Sequence, residues 1–288
     1  MTKTRILCLA LVLASIGCLP ARADLLYALV NGANASLELI NTSTSSVTPI
    51  GATGVYVSFG DLAPSPTPGL AYMVDGRQSP ASGNSSLYTL NLATGAATLV
   101  GSTGVPDMFG LAYDPNTSTL FGTTYSEGVV GLYSVNVSTG AATFIGPTSI
   151  SNSTKEIDAL TYNTATHSLV GISTGFSSLY TINELTGALT FQALLQPSGL
   201  STNHNIGDIA YDAAANRYYS EDVNGRLYVT DPTQPVFNDV AIMDNLGLNA
   251  DGLLVKSAVP EPSAWMLLVS GFVFFVMFRR RAVSSWMQ

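Results

Sequence analysis

The string SLYTLNLATGAATLVGSTG at 86–104 decides the fold, because it recurs along the chain. Two close copies are GLYSVNVSTGAATFIGPTS (131–149) and SLYTINELTGALTFQALLQ (178–196), and two weaker copies begin at Ser36 and Arg226. A second string of the type GLAYDPNTSTLFGTT (110–124) falls between the copies. A repeat of this kind predicts one supersecondary unit per copy. The equivalent leucines, which lie 50, 45, 47 and 48 residues apart, are Leu37, Leu87, Leu132, Leu179 and Leu227.

Each copy predicts four short antiparallel strands. The segment LYTLN at 87–91 alternates apolar and polar residues, as a strand with one buried face does. Thr-Gly pairs at 94–95, 139–140 and 186–187 then predict tight turns, because glycine readily takes the positive φ that a hairpin needs. Four such strands at a period of 40–50 residues predict the blades of a β-propeller. Buried blade-packing roles are expected for Tyr88, Tyr113, Tyr133, Tyr162, Tyr180, Tyr211 and Tyr228.

The two ends of the repeat predict how the ring closes. The sequence resembles propellers of the NHL and quinoprotein-like superfamilies, in which the GLAYD-type strand is innermost and three strands follow outward. On that resemblance Leu25–Val30 is the second strand of a blade, 36–52 forms its third and fourth strands, and 251–255 forms its innermost strand. Such a 3+1 closure removes the free edges of the ring. We therefore expect an all-β domain at 24–256, a single propeller of five four-stranded blades, with six blades as the alternative.

The first 23 residues are typical of a secretory signal peptide. Lys3 and Arg5 precede an apolar run from Ile6 to Leu19, and a small-residue site, Ala21-Arg22-Ala23, follows it. Cleavage is expected before Asp24, and passage through the secretion translocon follows from it. A first transmembrane helix is the alternative, but the apolar run is short.

The C-terminal segment 257–288 has three parts. Val259-Pro260-Glu261-Pro262 comes first, an apolar stretch at 264–278 follows, and Arg279, Arg280 and Arg281 end it. As a helix the fifteen apolar residues would rise about 22 Å, short for a hydrocarbon core of about 30 Å. The arginines are expected on the cytoplasmic side. A single short transmembrane helix at 264–278 is the prediction, and a permanent tail anchor is the alternative to a removable one.

This tail resembles the PEP-CTERM sorting signal of Gram-negative bacteria that make exopolysaccharide. The resemblance covers about the last thirty residues and implies recognition by an exosortase, a membrane cysteine protease that cleaves near the Pro-Glu-Pro motif. The resemblance therefore implies transient membrane anchoring, followed by release to the cell surface or the extracellular matrix.

Charge and cysteine content exclude several classes of function. The chain has 11 basic and 19 acidic residues, and six of the basic ones lie in the two terminal segments. Without those six the net charge is near −14, so clustered cations for nucleic acid are absent and no nucleic-acid partner is expected. Both cysteines, Cys8 and Cys18, lie in the signal peptide, so the processed chain has neither disulfides nor thiolate metal sites.

A set of aspartates is the one candidate for chemistry in the repeat. Each lies at or just before a predicted innermost strand, so the set could surround one mouth of the channel. Crowded carboxylates suit Ca²⁺, and no other cofactor is expected; the alternative is that Asp is common where turns enter strands. The set consists of Asp61, Asp107, Asp158, Asp208 and Asp251.

The expected function is non-catalytic: a surface or matrix propeller that binds exopolysaccharide or a surface protein. The alternative is a glycoside hydrolase or other hydrolase at the channel mouth, which would use Asp158 or Asp208 with Glu156 nearby. The two histidines, His167 and His204, lie apart in different repeats, which is typical of solvated turn residues.

Overall fold

The computed structural model describes residues 24–76, 83–124, 130–148, 157–173, 177–197, 206–222, 224–233, 238–243 and 250–256. They form 21 strands in five sheets, and the strands are numbered in chain order. No helix long and apolar enough to cross a membrane occurs in this described part of the chain. The predicted helix at 264–278 and the signal peptide lie outside it. Compact packing divides the chain into two units, 1–255 and 256–288.

The five sheets are the blades of a propeller. Blade 1 combines β1 (Leu25–Val30), β2 (Ser36–Asn41) and β3 (Ser46–Ala52) with the last strand, β21 (Ala250–Val255). Blade 2 contains β4 (Asp61–Pro64), β5 (Leu70–Val74), β6 (Ser86–Asn91) and β7 (Ala97–Ser102). Blade 3 contains β8 (Met108–Asp114), β9 (Thr119–Thr124), β10 (Gly131–Val135) and β11 (Ala142–Gly146).

Blades 4 and 5 follow the same pattern. Blade 4 contains β12 (Ala159–Asn163), β13 (Ser168–Ser173), β14 (Ser178–Ile182) and β15 (Leu189–Leu194). Blade 5 contains β17 (Ile206–Asp212), β18 (Arg217–Asp222), β19 (Leu227–Thr230) and β20 (Asn238–Met243). The two-residue strand β16 (Gln196–Pro197) adds to the outer edge of β20 in parallel.

The closure of the ring is the one predicted. Strand β1 pairs antiparallel with β21, in a register that places Leu26 opposite Val255 and Ala28 opposite Leu253. The innermost strands contact one another around the axis in the order β4, β8, β12, β17, β21 and back to β4. The prediction of five blades with a 3+1 closure is therefore confirmed, and the six-blade alternative is wrong.

Apolar side chains fill the spaces between neighbouring blades. Between blades 2 and 3, for example, Leu87 and Val74 pack with Leu111 and Tyr113 in one buried cluster. Full burial of a side chain of this size contributes about 1.5–3 kcal/mol. All seven repeated tyrosines are buried members of such clusters, which confirms their predicted packing role. The clusters and the closing strand all lie within 24–256, so this segment contains a complete closed fold.

The two ends of the blades differ. The loop end is the end at which the innermost strands begin, and the turn end is the opposite one. At the turn end, Asx side chains cap short turns: the Asn91 Oδ1 accepts hydrogen bonds from the N–H groups of Ala93 and Thr94 at 2.9 and 3.1 Å. Gly95 follows with φ +77°, and a Cβ there would lie 2.3 Å from the carbonyl oxygen of Gly51, so only glycine fits.

Candidate functional site

Five equivalent residues of the innermost strands surround the axis near the loop end. Each faces a residue of the second strand of its blade: Asp61 faces Val74, and Asp208 faces Glu221. The other three positions hold only glycine or alanine. Space there is small, because a Cβ at Gly252 would lie 2.9 Å from the Leu29 Cβ. Around the axis the five are Asp61, Gly110, Ala159, Asp208 and Gly252.

The Asp61 carboxylate connects three blades across the axis. Its Oδ1 accepts a hydrogen bond from the N–H of Leu62 at 2.6 Å, and its Oδ2 accepts from Leu111 at 2.6 Å and from Leu160 at 3.5 Å. Burial raises the pKa of this carboxyl well above its ordinary value, whereas the three N–H groups lower it and the charge of Asp251 raises it further. Asp61 thus satisfies N–H groups that the innermost strands direct towards the axis.

Asp208 and Glu221 form a buried cross-strand pair of acidic residues. The Asp208 Oδ2 accepts a short hydrogen bond from the N–H of Leu253, but its Oδ1 and the Glu221 Oε2 are buried without a hydrogen-bond partner. Burial raises the pKa of both carboxyls well above the ordinary range; the charge of Asp61 adds to this at Asp208, and that of Asp251 adds to it at Glu221. The geometry therefore favours the protonated form of these groups.

Asp251 lies beside this pair and is less deeply buried. The side-chain amide of Asn31 donates a short hydrogen bond to its Oδ2. Burial raises the pKa of Asp251 to about 6, the hydrogen bond from Asn31 lowers it, and the charge of Asp158 raises it. Asp251 thus has a pKa shifted towards neutral pH.

The five predicted aspartates occupy three different registers. Asp61 and Asp208 lie at the axis positions, Asp158 and Asp251 each lie one residue earlier, and Asp107 precedes β8 with a φ of +46°. In the described part of the chain, no three His, Cys, Asp or Glu side chains are placed so that they could hold a metal ion. Calcium binding by the set stays a prediction.

Sequence reasoning missed Glu221. The structurally equivalent residues of the other second strands are apolar or Thr: Leu29, Val74, Thr123 and Ile172. An acidic residue at that one position of the repeat is the signal that could have identified it. Recognising it required the register between neighbouring strands, which places it opposite Asp208.

A second concave feature lies at the turn end, on the closure between blades 1 and 5. This cleft has a volume of about 570 Å³, and Asp24, Thr42, Arg217 and Tyr219 are among the residues that line it. The Asp24 carboxylate accepts a short hydrogen bond from the Tyr219 hydroxyl and lies 3.4 Å from the Arg217 guanidinium. The residue expected to begin the processed chain therefore joins the first blade to the last.

Of the two histidines, His167 lies in the turn after β12, where its Nδ1 is 3.1 Å from the side-chain amide of Asn116. His204 lies outside the described residues. So do Ala21 and Ala23 of the predicted cleavage site, and the sorting residues Val259, Pro260, Glu261, Pro262, Arg279, Arg280 and Arg281.

Comparison with known families identifies the tail. The PEP-CTERM protein-sorting motif matches residues 258–281, so the chain carries that motif, as the sequence predicted. The match includes the Pro-Glu-Pro residues, the apolar stretch and all three arginines. No curated protein matches the sequence.

Solved structures similar to this chain are distant in sequence. A protein of unknown function from Bacteroides thetaiotaomicron is 17% identical, with a TM-score of 0.49, over 75% of this chain and 57% of its own. A chain of a nidogen/laminin complex is 12% identical, with a TM-score of 0.49, over 81% and 98%. The periplasmic gluconolactonase of Pseudomonas aeruginosa is 11% identical, with a TM-score of 0.47, over 76% and 82%. The chain thus spans little more than half the length of the first of these proteins.

Proposed function

We propose that this protein is exported, anchored briefly by its tail and then released by an exosortase. We further propose that it serves at the cell surface or in the matrix as a non-catalytic propeller that binds exopolysaccharide or a surface protein. The observation that carries the proposal is the PEP-CTERM motif at 258–281, placed directly after a closed propeller. The motif accounts for the proposed destination of the protein, and the propeller supplies a rigid scaffold for a binding surface.

The loop end is the surface we propose for binding. Its connections differ in length and sequence from blade to blade: the connection between blades 1 and 2 is 53–60, and the one between blades 2 and 3 is the shorter 103–107. The turn end repeats short Asx-capped turns instead, such as the turns after Asn41 and Asn136, whose Oδ1 atoms accept backbone hydrogen bonds. Variable connections on a rigid scaffold are the usual location of binding residues in such folds.

Catalysis at the channel mouth is the second candidate. The observation that favours it is Asp251, because a carboxyl with a pKa of about 6 beside another carboxylate, Asp158, suits a general acid near neutral pH. Asp208 is an unsuitable catalyst because none of its side chain is exposed to solvent. A hydrolase would therefore depend on Asp158 and Asp251.

One experiment separates the two candidates. Residues 24–256 would be incubated with matrix polysaccharide from an exopolysaccharide-producing host, and both retention on the polymer and release of reducing ends would be measured. We expect retention without product. Turnover by the wild type that Asp158→Asn or Asp251→Asn abolishes would overturn the non-catalytic proposal. Addition of Ca²⁺ in a parallel series tests the calcium prediction: a rise in melting temperature that Asp158→Asn removes would support it.

A further inference from the structure

Two aromatic side chains are exposed at the loop end, in the connection that joins β3 to β4. Tyr56 is 38% exposed and Phe59 is 49% exposed, whereas Val57, one of the two residues between them, is fully buried. The connection leads directly to Asp61 at the axis, so both residues lie at the loop end of the propeller. Two other aromatic side chains, Phe144 and Phe191, are also exposed, but they lie on the outermost strands of blades 3 and 4, whereas Tyr56 and Phe59 lie in one loop-end connection.

Phe59 has a strained backbone. Its φ is +58°, in the left-handed region that a bulky side chain rarely adopts. Such conformations persist only where the surrounding structure imposes them, and they concentrate at binding and catalytic sites.

The surrounding backbone imposes this one. Val57 and Gly32 exchange hydrogen bonds of 2.8 and 3.2 Å, and the N–H of Ser58 donates to the carbonyl oxygen of Asp75 at 3.0 Å. Gly76 lies so close that a Cβ there would be 2.1 Å from the Ser58 carbonyl oxygen and 2.3 Å from that of Phe59. The two rings are therefore displayed on a connection that is fixed before any ligand binds, which reduces the entropy lost on binding.

Phe109 supports Phe59 from below. Phe109 is the second residue of β8 and is 8% exposed, and its ring centroid lies 5.3 Å from that of Phe59, with an angle of 37° between the ring planes. Phe109 thus packs against the Phe59 ring, and about half of Phe59 remains exposed to solvent.

The size and charge of this patch select its ligand. An aromatic side chain buries about 150–250 Å² in full, so two rings exposed by about half offer roughly 200 Å². A stable protein partner needs about 800 Å² on each side, whereas one or two sugar rings need far less. Asp107, Asp158 and Asp251 lie at the same end of the propeller, and their negative charge disfavours an anionic glycan.

We propose that Tyr56 and Phe59, supported by Phe109, form a platform on which the pyranose rings of a neutral polysaccharide stack. The apolar C–H face of a pyranose packs on an aromatic ring, and successive sugars can extend across the loop end. This inference rests on the proposed polysaccharide-binding function and specifies its ligand class and its residues.

The test is affinity electrophoresis and calorimetry of residues 24–256, a segment that contains the closed fold. The probes are hydroxyethyl cellulose, dextran and wheat arabinoxylan as neutral glycans, and alginate as an anionic one. We expect at least one neutral glycan to bind, and the double substitution Tyr56→Ala/Phe59→Ala to weaken that binding at least tenfold. Phe59→Asn should weaken it too while preserving the fold, because Asn tolerates positive φ.

Phe191→Ala is the matched control. Phe191 is 55% exposed, and its ring packs at 5.8 Å against that of Tyr180, but it lies on the outermost strand of blade 4. Its substitution should leave glycan binding unchanged. Equal loss in Phe191→Ala, or wild-type affinity in the Tyr56/Phe59 double variant, would overturn the platform while leaving polysaccharide binding intact. No binding to any neutral glycan, or binding to alginate alone, would overturn the platform; failure with all four glycans would also count against the proposed polysaccharide function.

Discussion

At the scale of single residues, the axis of this propeller is held by buried carboxyl groups that differ in their hydrogen bonding. Both carboxylate oxygens of Asp61 accept backbone N–H groups, whereas Asp208 and Glu221 each keep one buried oxygen without a partner. A buried acceptor of this kind costs about 1–3 kcal/mol, and more if it is charged. The Asp208–Glu221 pair is therefore a site at which stability and pH are coupled.

The first prediction concerns this coupling. The folded-state pKa of Glu221 is raised above the unfolded value of about 4.3. Between these two pKa values the folded state binds a proton that the unfolded state has lost, so the free energy of unfolding falls as pH rises. The pKa values of Asp61, Asp208 and Asp251 are also raised in the folded state, so these groups change the stability in the same direction. We expect the melting temperature to fall as pH increases from about 4.5 to 8. Glu221→Gln should raise stability at pH 8 by about 1–3 kcal/mol and flatten the profile.

A matched control for this measurement is Glu38→Gln. Glu38 is also buried, but its carboxylate already accepts a hydrogen bond of 2.9 Å from the Ser36 hydroxyl. The Glu38→Gln variant should lack the gain in stability at pH 8 expected for Glu221→Gln, because it disturbs an existing hydrogen bond and relieves no unpartnered oxygen. A melting temperature that rises between pH 4.5 and 8, or a Glu221→Gln variant less stable than wild type at pH 8, would contradict the predicted coupling.

At the scale of secondary-structure elements, β21 determines whether the ring closes. It is the innermost strand of blade 1, and it covers β1, whose Leu26, Ala28 and Leu29 are fully buried. Its Leu253 N–H also donates to Asp208, so the closing strand joins the axis to blade 5. Loss of this strand would expose both an unpaired edge and a large apolar surface.

The second prediction follows from that role. A chain of residues 24–256 should unfold cooperatively in urea, whereas a chain that ends at residue 249 should lack a cooperative transition or aggregate. The chain 24–256 serves as the control for the truncation at 249, because it lacks only the tail beyond the described propeller. Unfolding in urea is monitored by tyrosine fluorescence, and aggregation is measured by size-exclusion chromatography. A chain ending at 249 that is monomeric and as stable as the longer one would show that closure is dispensable.

At the scale of the whole molecule, the chain combines a rigid propeller with a PEP-CTERM motif at 258–281. We expect surface or matrix material to lack both residues 1–23 and the arginines 279–281. Substitution of Pro260 and Glu261 by Ala should leave the precursor in the inner membrane, because the motif would no longer be recognised. Mass spectrometry of fractionated cells measures both outcomes. Released protein that retains Arg279–Arg281 would contradict the sorting prediction.

The sequence by itself determined the features that depend on local or repeated patterns. Strand alternation, the Thr-Gly turns and the period of the repeat predicted five blades, and the two partial units predicted the pairing of Leu25–Val30 with 251–255. The sorting motif also needed only the order of residues in the chain. These features are readable because each one is encoded within a few adjacent residues or by repetition.

The tertiary structure alone decided which side chains meet at the axis and the mouth. The five aspartates that the repeat places at or just before the innermost strands occupy three registers, and a shift of one residue moves a side chain to the other face of its strand. Glu221 lies opposite Asp208 only in the register of β17 with β18, and Asn31 meets Asp251 only because the last strand pairs with the first. Phe59 meets Phe109 from another blade at 5.3 Å. Such contacts depend on inter-blade register and on the path of connecting loops, which no short pattern of residues encodes.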